Sequence, residues 1–391
     1  MNTLEKNSRL TPELLEPLPS PCWILEEHLL EANLEILKNI KERAGVKILL
    51  ALKGFAFWHS APLIGEYLDG CCASGLHEAM LAHENFGGEV HTYSPAFKEE
   101  EIDAIARISR HLVFNSPAQA ERFAERALAA NPSLSLGLRV NPEYSEAPVE
   151  LYNPCGLHSR LGTLAKTLEK REDILKNIEG FHFHALCEQD ASALEGVLEA
   201  FEAKFDRWLP RLKWVNFGGG HHITRADYDR ERLVRLLREF RSRHPYLELY
   251  LEPGEAVGWE TGPLMATVLD IVENGMEIAI LDTSAEAHMP DTIIMPYRAE
   301  VRGAGAAGEK PYTYRLAGNT CLAGDVMGDF SFERPLKPGD KILFEDQMHY
   351  TMVKATTFNG IPLPAIAILR KNGEVEVLRR FGYEEFRDRL G

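Results

Sequence analysis

Among the residues able to do chemistry, a lysine that ends an apolar run stands out. Ile48-Leu49-Leu50-Ala51-Leu52 reads as a buried strand, Lys53 follows it directly, and Gly54-Phe55 break the run. An amine stripped of water there has a lowered pKa and a lone pair free to attack a carbonyl carbon, the first step of Schiff-base chemistry. The bland alternative is a lysine snorkelling to the surface past the strand end. Phe217 is followed by Gly218-Gly219-Gly220, which is either turn punctuation or a run of bare N–H groups for a phosphate. Glu252-Pro253-Gly254-Glu255 places a carboxylate at the end of another apolar run.

A carboxylate beside a pyridine nitrogen keeps that nitrogen protonated, so the ring can accept electrons released at a substrate carbon. Lys53, the glycine cradle and Glu252 together describe pyridoxal 5′-phosphate, although each alone is a weak signal. His182 and His184 alternate on one strand and point to one side. With His221 and His222 they invite a zinc-hydrolase reading, but no carboxylate completes the set at ligand spacing and Lys53 would have no role. A histidine lying flat on a cofactor ring explains His184 with fewer assumptions, and no metal is expected. Ser74 with Glu78 suits an ordinary helix cap, and Arg139 a structural ion pair.

These residues need a scaffold that brings many strand ends together. Between about residues 27 and 259 apolar runs alternate with amphipathic stretches. Strands are expected at 46–52, 70–73, 90–93, 112–115, 134–140, 180–186, 212–217 and 247–252. Helices are expected at 27–43, 76–86, 97–108, 117–130, 191–209 and 226–243, the first with Leu30, Leu34, Leu37 and Ile40 at helical spacing. Strand and helix in strict alternation predict a closed (β/α)8 TIM barrel, whose strand carboxyl ends carry the chemistry. An open doubly wound sheet is the rival, but its GxGxxG turn is missing after the first strand. Lys53, Ser74, Asn115, Arg139, His184, Gly218–Gly220 and Glu252 all fall at expected strand ends.

After residue 260 the segments 264–272, 278–281, 298–302, 312–316, 341–345, 350–354, 364–370 and 374–379 are short and strand-like, with Gly and Pro between them. The domains expected are therefore a barrel over 26–259 and an all-β domain, of β-sandwich or β-barrel type, over 260–391. Residues 1–25 join the latter through Pro21–Leu25.

Composition narrows the partners. With 59 acidic against 43 basic residues, the 391-residue chain carries a formal charge of −16, which disfavours nucleic acid and anionic membrane and suits a cationic small molecule. Six cysteines without CxxC pairing suit reduced thiols better than a disulfide framework or structural zinc. The amino terminus lacks the basic start and apolar core of a signal peptide, and no run spans a bilayer, so a cytoplasmic protein is expected.

Several motifs occur in the order of one family. Ala51-Leu52-Lys53, Ala73-Ser74-Gly75 with Glu78, Ser159-Arg160-Leu161-Gly162, Phe183-His184-Ala185, Phe217-Gly218-Gly219-Gly220 and Glu252-Pro253-Gly254 lie in the barrel. Gly318-Asn319-Thr320-Cys321, Tyr350-Thr351 and Phe358-Asn359-Gly360 follow in the β domain. Nearly end to end, the chain resembles the fold-type III pyridoxal-phosphate decarboxylases, which include the ornithine, arginine and diaminopimelate enzymes and share the alanine racemase-like barrel. Leu281-Asp282-Thr283-Ser284-Ala285 and Ala287-His288-Met289-Pro290-Asp291 resemble the carboxynorspermidine/carboxyspermidine branch in particular. The resemblance implies a carboxy-lyase of polyamine biosynthesis in which Lys53 carries the cofactor and His184 stacks on its ring. It implies that Gly218, Gly219, Gly220, Gly254 and Tyr350 bind the cofactor and that Glu252 faces the pyridine nitrogen. Cys321 would return a proton to Cα from the neighbouring subunit of a homodimer.

Two departures bear on substrate. Glu255 stands where ornithine and diaminopimelate decarboxylases have arginine after Glu-Pro-Gly, which suits a substrate with an extra ammonium group and removes a phosphate partner. Leu322 replaces the acid after the loop cysteine, and Cys187 lies where relatives place a phosphate-binding serine. Glu255, Asp291, Asp282 and Asp325 are the candidate partners of the ammonium groups. For Asp282 and Asp325 a purely structural loop role is the alternative. Decarboxylation of ornithine, lysine or diaminopimelate, or cofactor binding without catalysis, are the other readings.

Overall fold

The computed structural model describes residues 7–391. They form two compact units, one spanning Asn33–Val257 and the other the chain up to Ala32 with Gly258–Gly391. In chain order the first strand is β1 (Cys22–Glu26), and the next eight make the barrel. These are β2 (Lys47–Ala51), β3 (Gly70–Ala73), β4 (Glu89–Tyr93), β5 (His111–Phe114), β6 (Ser135–Arg139), β7 (Gly180–His182), β8 (Trp214–Asn216) and β9 (Glu248–Leu251). Each pairs in parallel with the next, and Lys47 opposite Tyr250 closes the ring between β2 and β9. Each expected barrel strand is present; β7 and β8 fall short of their expected ranges by four and three residues, and the others agree to within two. The helix Pro117–Ala130 begins where its signals lie, with Ser116 Oγ accepting from Gln119 N at 3.2 Å and Pro117 in the first turn.

The barrel interior is filled rather than hollow. Trp214 reaches across it, and Gly137 and Gly180 on the neighbouring strands make room: a Cβ at Gly180 would lie 2.0 Å from the indole. His111 stacks on Trp214 with ring centroids 4.3 Å apart, and His91 lies against His111 at 3.9 Å. Below them Lys47 bridges Glu89 and Glu248, which occupies the amino-terminal end of the barrel with its own ion pairs. A filled lower end leaves the carboxyl-terminal mouth as the place for a ligand.

In the other unit the strands are β10 (Leu264–Glu273), β11 (Glu277–Leu281), β12 (Gly305–Ala306), β13 (Tyr312–Ala317), β14 (Val326–Phe332), β15 (Lys341–Phe344), β16 (Ala365–Leu369) and β17 (Val375–Arg379). With β1 they make one nine-stranded mixed sheet, in the order β12-β14-β13-β11-β10-β1-β16-β17 with β15 on β10. The early segment does join this sheet, parallel to β16 from Cys22↔Ala365 to Glu26↔Leu369. Cys22, Ile24, Met265, Leu343, Ala367 and Leu369 share its core with Leu10, Leu15 and Leu18.

Three expectations fail here. Residues 350–354 form a short helix (Tyr350–Lys354), because a five-residue apolar run has no periodicity to separate helix from strand. The stretch 298–302 keeps only one bridge, Val301 to Phe344. Strand β14 lies in a stretch where no strand is expected. Asp329 sits directly opposite Arg315 in the sheet and pairs with it at 2.7 Å.

Candidate active site

The chemistry-bearing residues of the barrel unit collect just past the carboxyl ends of its strands. Lys53 lies on the turn after β2, whose backbone is pinned by Leu52 N to Cys72 O (3.1 Å) and Gly54 N to Ala51 O (3.0 Å). The side chain is exposed at the barrel mouth, not enclosed as the apolar run suggested. The surrounding wall still removes enough solvation to lower its pKa; Cys72 and Glu252 oppose that shift and Arg139 adds to it. Gly54 allows this turn to touch the loop after β9, since a Cβ there would lie 2.9 Å from Glu255 N.

Glu252 follows β9 with both carboxylate oxygens held. Asn216 Nδ2 donates to Oε1 at 2.6 Å, and His182 Nε2 lies 3.3 Å from Oε2. Burial works against its charge, but His182 and Asn216 prevail and bring its pKa down to about 2. It is therefore a permanent anion, as a group that keeps a pyridine nitrogen protonated must be. His184 lies beyond β7, and its Nδ1 accepts from Gly219 N at 2.8 Å, which leaves the proton on Nε2. Burial, then Lys53 and Arg139, push its pKa well below the usual value, so it is a neutral ring.

The glycine loop is needed for space as well as for donors. A Cβ at Gly218 (φ +70°) would meet Phe183 O at 2.5 Å, one at Gly219 would meet Glu252 O at 2.3 Å, and one at Gly220 (φ +85°) Leu186 O at 2.1 Å. The loop is wedged among the turns after β7 and β9. Gly218 N donates to Asn216 Oδ1 at 2.8 Å and Gly219 N to His184 Nδ1. Two N–H groups expected to be bare are thus committed within the protein. Gly254 packs against the end of β2, its Cβ position 2.9 Å from Ala51 O.

Other strand-end residues serve as supports. Among the described residues Arg139 makes no ion pair; its guanidinium lies over the Tyr93 ring at 4.6 Å and donates to His184 O at 3.3 Å. Asn115 ties down the Ser159–Gly162 motif by donating to Arg160 O (2.8 Å) and accepting from Gly162 N (2.7 Å). Ser74 N donates to Glu78 Oε2 at 2.6 Å, but the residue at the cap position of the helix Leu76–Leu81 is Gly75, without a side-chain cap bond, so the expected Ser74 cap is not formed. Glu255 stands beside His222, whose Nε2 is 3.1 Å from its Oε2, and Glu188 completes a group with one ligand atom from each residue within 4.8 Å of the others. The expectation that no carboxylate accompanies the histidines is corrected here: the partners come from three different loops, so sequence spacing could not show them. Asn216 was missed altogether, and its one signal was a polar residue inside an apolar strand.

In the β unit, Cys321 is exposed, and its N–H donates to Asn359 Oδ1 at 2.7 Å. Asp325 is 3% exposed and fully occupied, with Oδ1 accepting from Ala285 N (2.7 Å) and Ser284 Oγ (3.0 Å) and Oδ2 from Thr320 Oγ1 (2.6 Å) and Thr320 N (3.2 Å). This geometry supports the structural role of Asp325, which joins the cysteine loop to the 283–286 turn. Asp282 Oδ1 accepts from Thr267 N at 2.7 Å, and burial raises its pKa, again a use within the sheet. Asp291 pairs with Lys354 Nζ at 2.7 Å, and that Nζ also lies 5.0 Å from the centre of the Tyr350 ring.

The donor set of the barrel mouth fits pyridoxal phosphate: an amine of lowered pKa, a fixed carboxylate anion and a neutral imidazole. The family model for the pyridoxal-dependent decarboxylases, described as their C-terminal sheet domain, matches residues 40–347. A carboxynorspermidine/carboxyspermidine decarboxylase of Campylobacter jejuni is 53% identical over 95% of this chain and 98% of its own. A carboxyaminopropylagmatine decarboxylase of Synechocystis is 47% identical over 96% and 97%. The crystal structure of carboxynorspermidine decarboxylase from Campylobacter jejuni, complexed with norspermidine, superimposes with a TM-score of 0.89 at 51% identity, covering 95% of this chain and all of that one. Match, identity and geometry agree: the chain belongs to the family of pyridoxal-dependent decarboxylases.

Proposed function

We propose that this chain removes the carboxylate of carboxynorspermidine or carboxyspermidine, releasing CO2 and norspermidine or spermidine. The observation that carries this reading is the 53% identity, over almost all of both chains, to an enzyme with that activity. The barrel mouth supplies the chemistry it requires. Bound pyridoxal phosphate would supply an electron sink for the pair released at Cα. Lys53 would hold that group through Nζ, Glu252 would keep a proton on its ring nitrogen, and His184 would cover one ring face. Gly220 and Gly254 would contribute to the phosphate site. The Cα–carboxylate bond breaks, CO2 departs, and the proton that replaces it comes from Cys321 Sγ. In a homodimer, extended here from the family pattern, that cysteine serves the neighbouring subunit's site.

Glu255, with Glu188 at its side, supports a cationic substrate, as a second ammonium needs an anionic partner. Asp291 remains a candidate second partner. A cytoplasmic setting accords with six free cysteines. Among the described residues no helix is long and apolar enough to cross a membrane.

The test is CO2 release from both carboxylated triamines, carboxyaminopropylagmatine, ornithine and diaminopimelate. The carboxylated triamines should exceed ornithine in kcat/KM by at least about a hundredfold, since a site that pairs an ammonium group rejects analogues lacking it. A preference for ornithine or diaminopimelate overturns the proposal. The Synechocystis relative favours one second reading, carboxyaminopropylagmatine, and the same panel separates the two.

A further inference from the structure

The side chain of Asn216 touches two parts of the cofactor site at once. Its Nδ2 donates to Glu252 Oε1 at 2.6 Å, and its Oδ1 accepts from Gly218 N at 2.8 Å. These partners fix the amide's orientation, because an N–H can only donate and an ionised carboxylate can only accept. The residue is 1% exposed and ends β8, so a rigid strand sets its position. Few side chains can do this job. Serine is too short to span both partners, and an ionised aspartate offers no donor to Glu252. On the other carboxylate oxygen stands His182, itself 3% exposed and edge-on to Tyr93 at 5.5 Å.

We propose that Asn216 is a positioning residue that holds the pyridine-facing carboxylate of Glu252 and the turn of the glycine loop in fixed register. The inference rests on the proposed pyridoxal-phosphate site and deepens it. Both contacts are buried hydrogen bonds, one of them to a charged group, and such bonds weaken badly when one partner is removed. If the amide is lost, Glu252 can rotate off the ring nitrogen and the glycine turn loses the acceptor for its first N–H.

The experiment compares wild type, Asn216→Ala and Asn216→Asp as purified full chains. Pyridoxal phosphate is titrated by absorbance from pH 6 to 9, and kcat and KM are measured with the best substrate of the panel. Asn216→Ala should weaken cofactor affinity by ~10-fold or more and lower kcat with KM changed less. Asn216→Asp keeps the shape and the acceptor for Gly218, but puts two carboxylates in contact, and these must share a proton. Its affinity should therefore be near wild type at pH 6 and fall progressively toward pH 9, while wild type stays flat relative to it. A merely structural role would give no such pH dependence. If Asn216→Asp follows the wild-type profile throughout, or if Asn216→Ala binds the cofactor as wild type does, the assignment is overturned. A wild-type chain that binds no pyridoxal phosphate overturns the underlying reading instead, so the two failures are distinct. Should Asn216→Ala fail to fold, the profile of Asn216→Asp alone decides.

Discussion

At Lys53 the local environment does what the chemistry needs, crowding an amine that is still reachable from the barrel mouth. Replacement by alanine removes the side chain proposed to bond the aldehyde. Lys53→Ala should abolish both turnover and the absorbance of the lysine-bound cofactor; persistence of that band would exclude the Schiff-base role. Glu255 lies three positions after Glu252 but faces different company, His222 and Glu188. Glu255→Gln removes one charge-assisted contact and should raise KM for the triamine by roughly tenfold with little change in cofactor affinity. An unaltered KM would take Glu255 out of the substrate site.

At the scale of elements, the loops after the strands determine which side chains meet. The glycine loop is threaded so tightly that Gly220→Ala would press a methyl onto Leu186 O, in a backbone region that alanine avoids. That variant should lose cofactor affinity by an order of magnitude or more, measured by the same titration. The cysteine loop depends on Asp325 in a comparable way. Asp325→Ala leaves the buried donor on Ala285 and the half-buried donors on Thr320 without an acceptor, a loss on the order of 3 kcal/mol by the usual cost of such groups. Thermal melting should show that loss, and an unchanged melting temperature would contradict the structural reading of Asp325. Short elements were the least legible: Tyr350–Lys354 looked like a strand from composition and β14 drew no assignment, because so few residues carry too little pattern to outweigh their contacts.

For the molecule as a whole, charge is the property with the broadest reach. A formal charge of −16 draws polycations from a distance, and that attraction is screened as the Debye length falls from ~10 Å at 0.1 M salt to ~3 Å at 1 M. KM for the triamine should rise with salt, and a salt-independent KM would confine recognition to contact distances. The same acidity has a cost in the β unit. Burial, with Asp346, Glu300 and Glu345 nearby, pushes Glu260 up from 4.5 to about 7. Between those values the folded chain holds a proton that the unfolded chain has released, so stability falls as pH rises from about 4.5 and levels off above about 7. Glu260→Gln, which imitates the protonated acid, should therefore melt close to wild type at pH 5 and clearly higher at pH 8. Equal melting at both would show that Glu260 does not carry this strain.

The chain's own order of residues pointed to the barrel, because apolar runs alternate with amphipathic helical stretches and the GxGxxG turn of the rival open sheet is missing. It also marked Lys53, His184, the glycine run and Glu252, since each sits where an apolar run stops and local chemistry changes. Tertiary structure alone decided which side chains hold those residues. Asn216 and His182 reach Glu252 from different strands, and Glu188, His222 and Glu255 meet from three loops. It also turned Asp325 inward to tie down the cysteine loop. Periodicity and motif spacing record contacts along the chain, whereas these depend on hydrogen-bonding partners brought together only when the strands close into a ring or pair in the sheet.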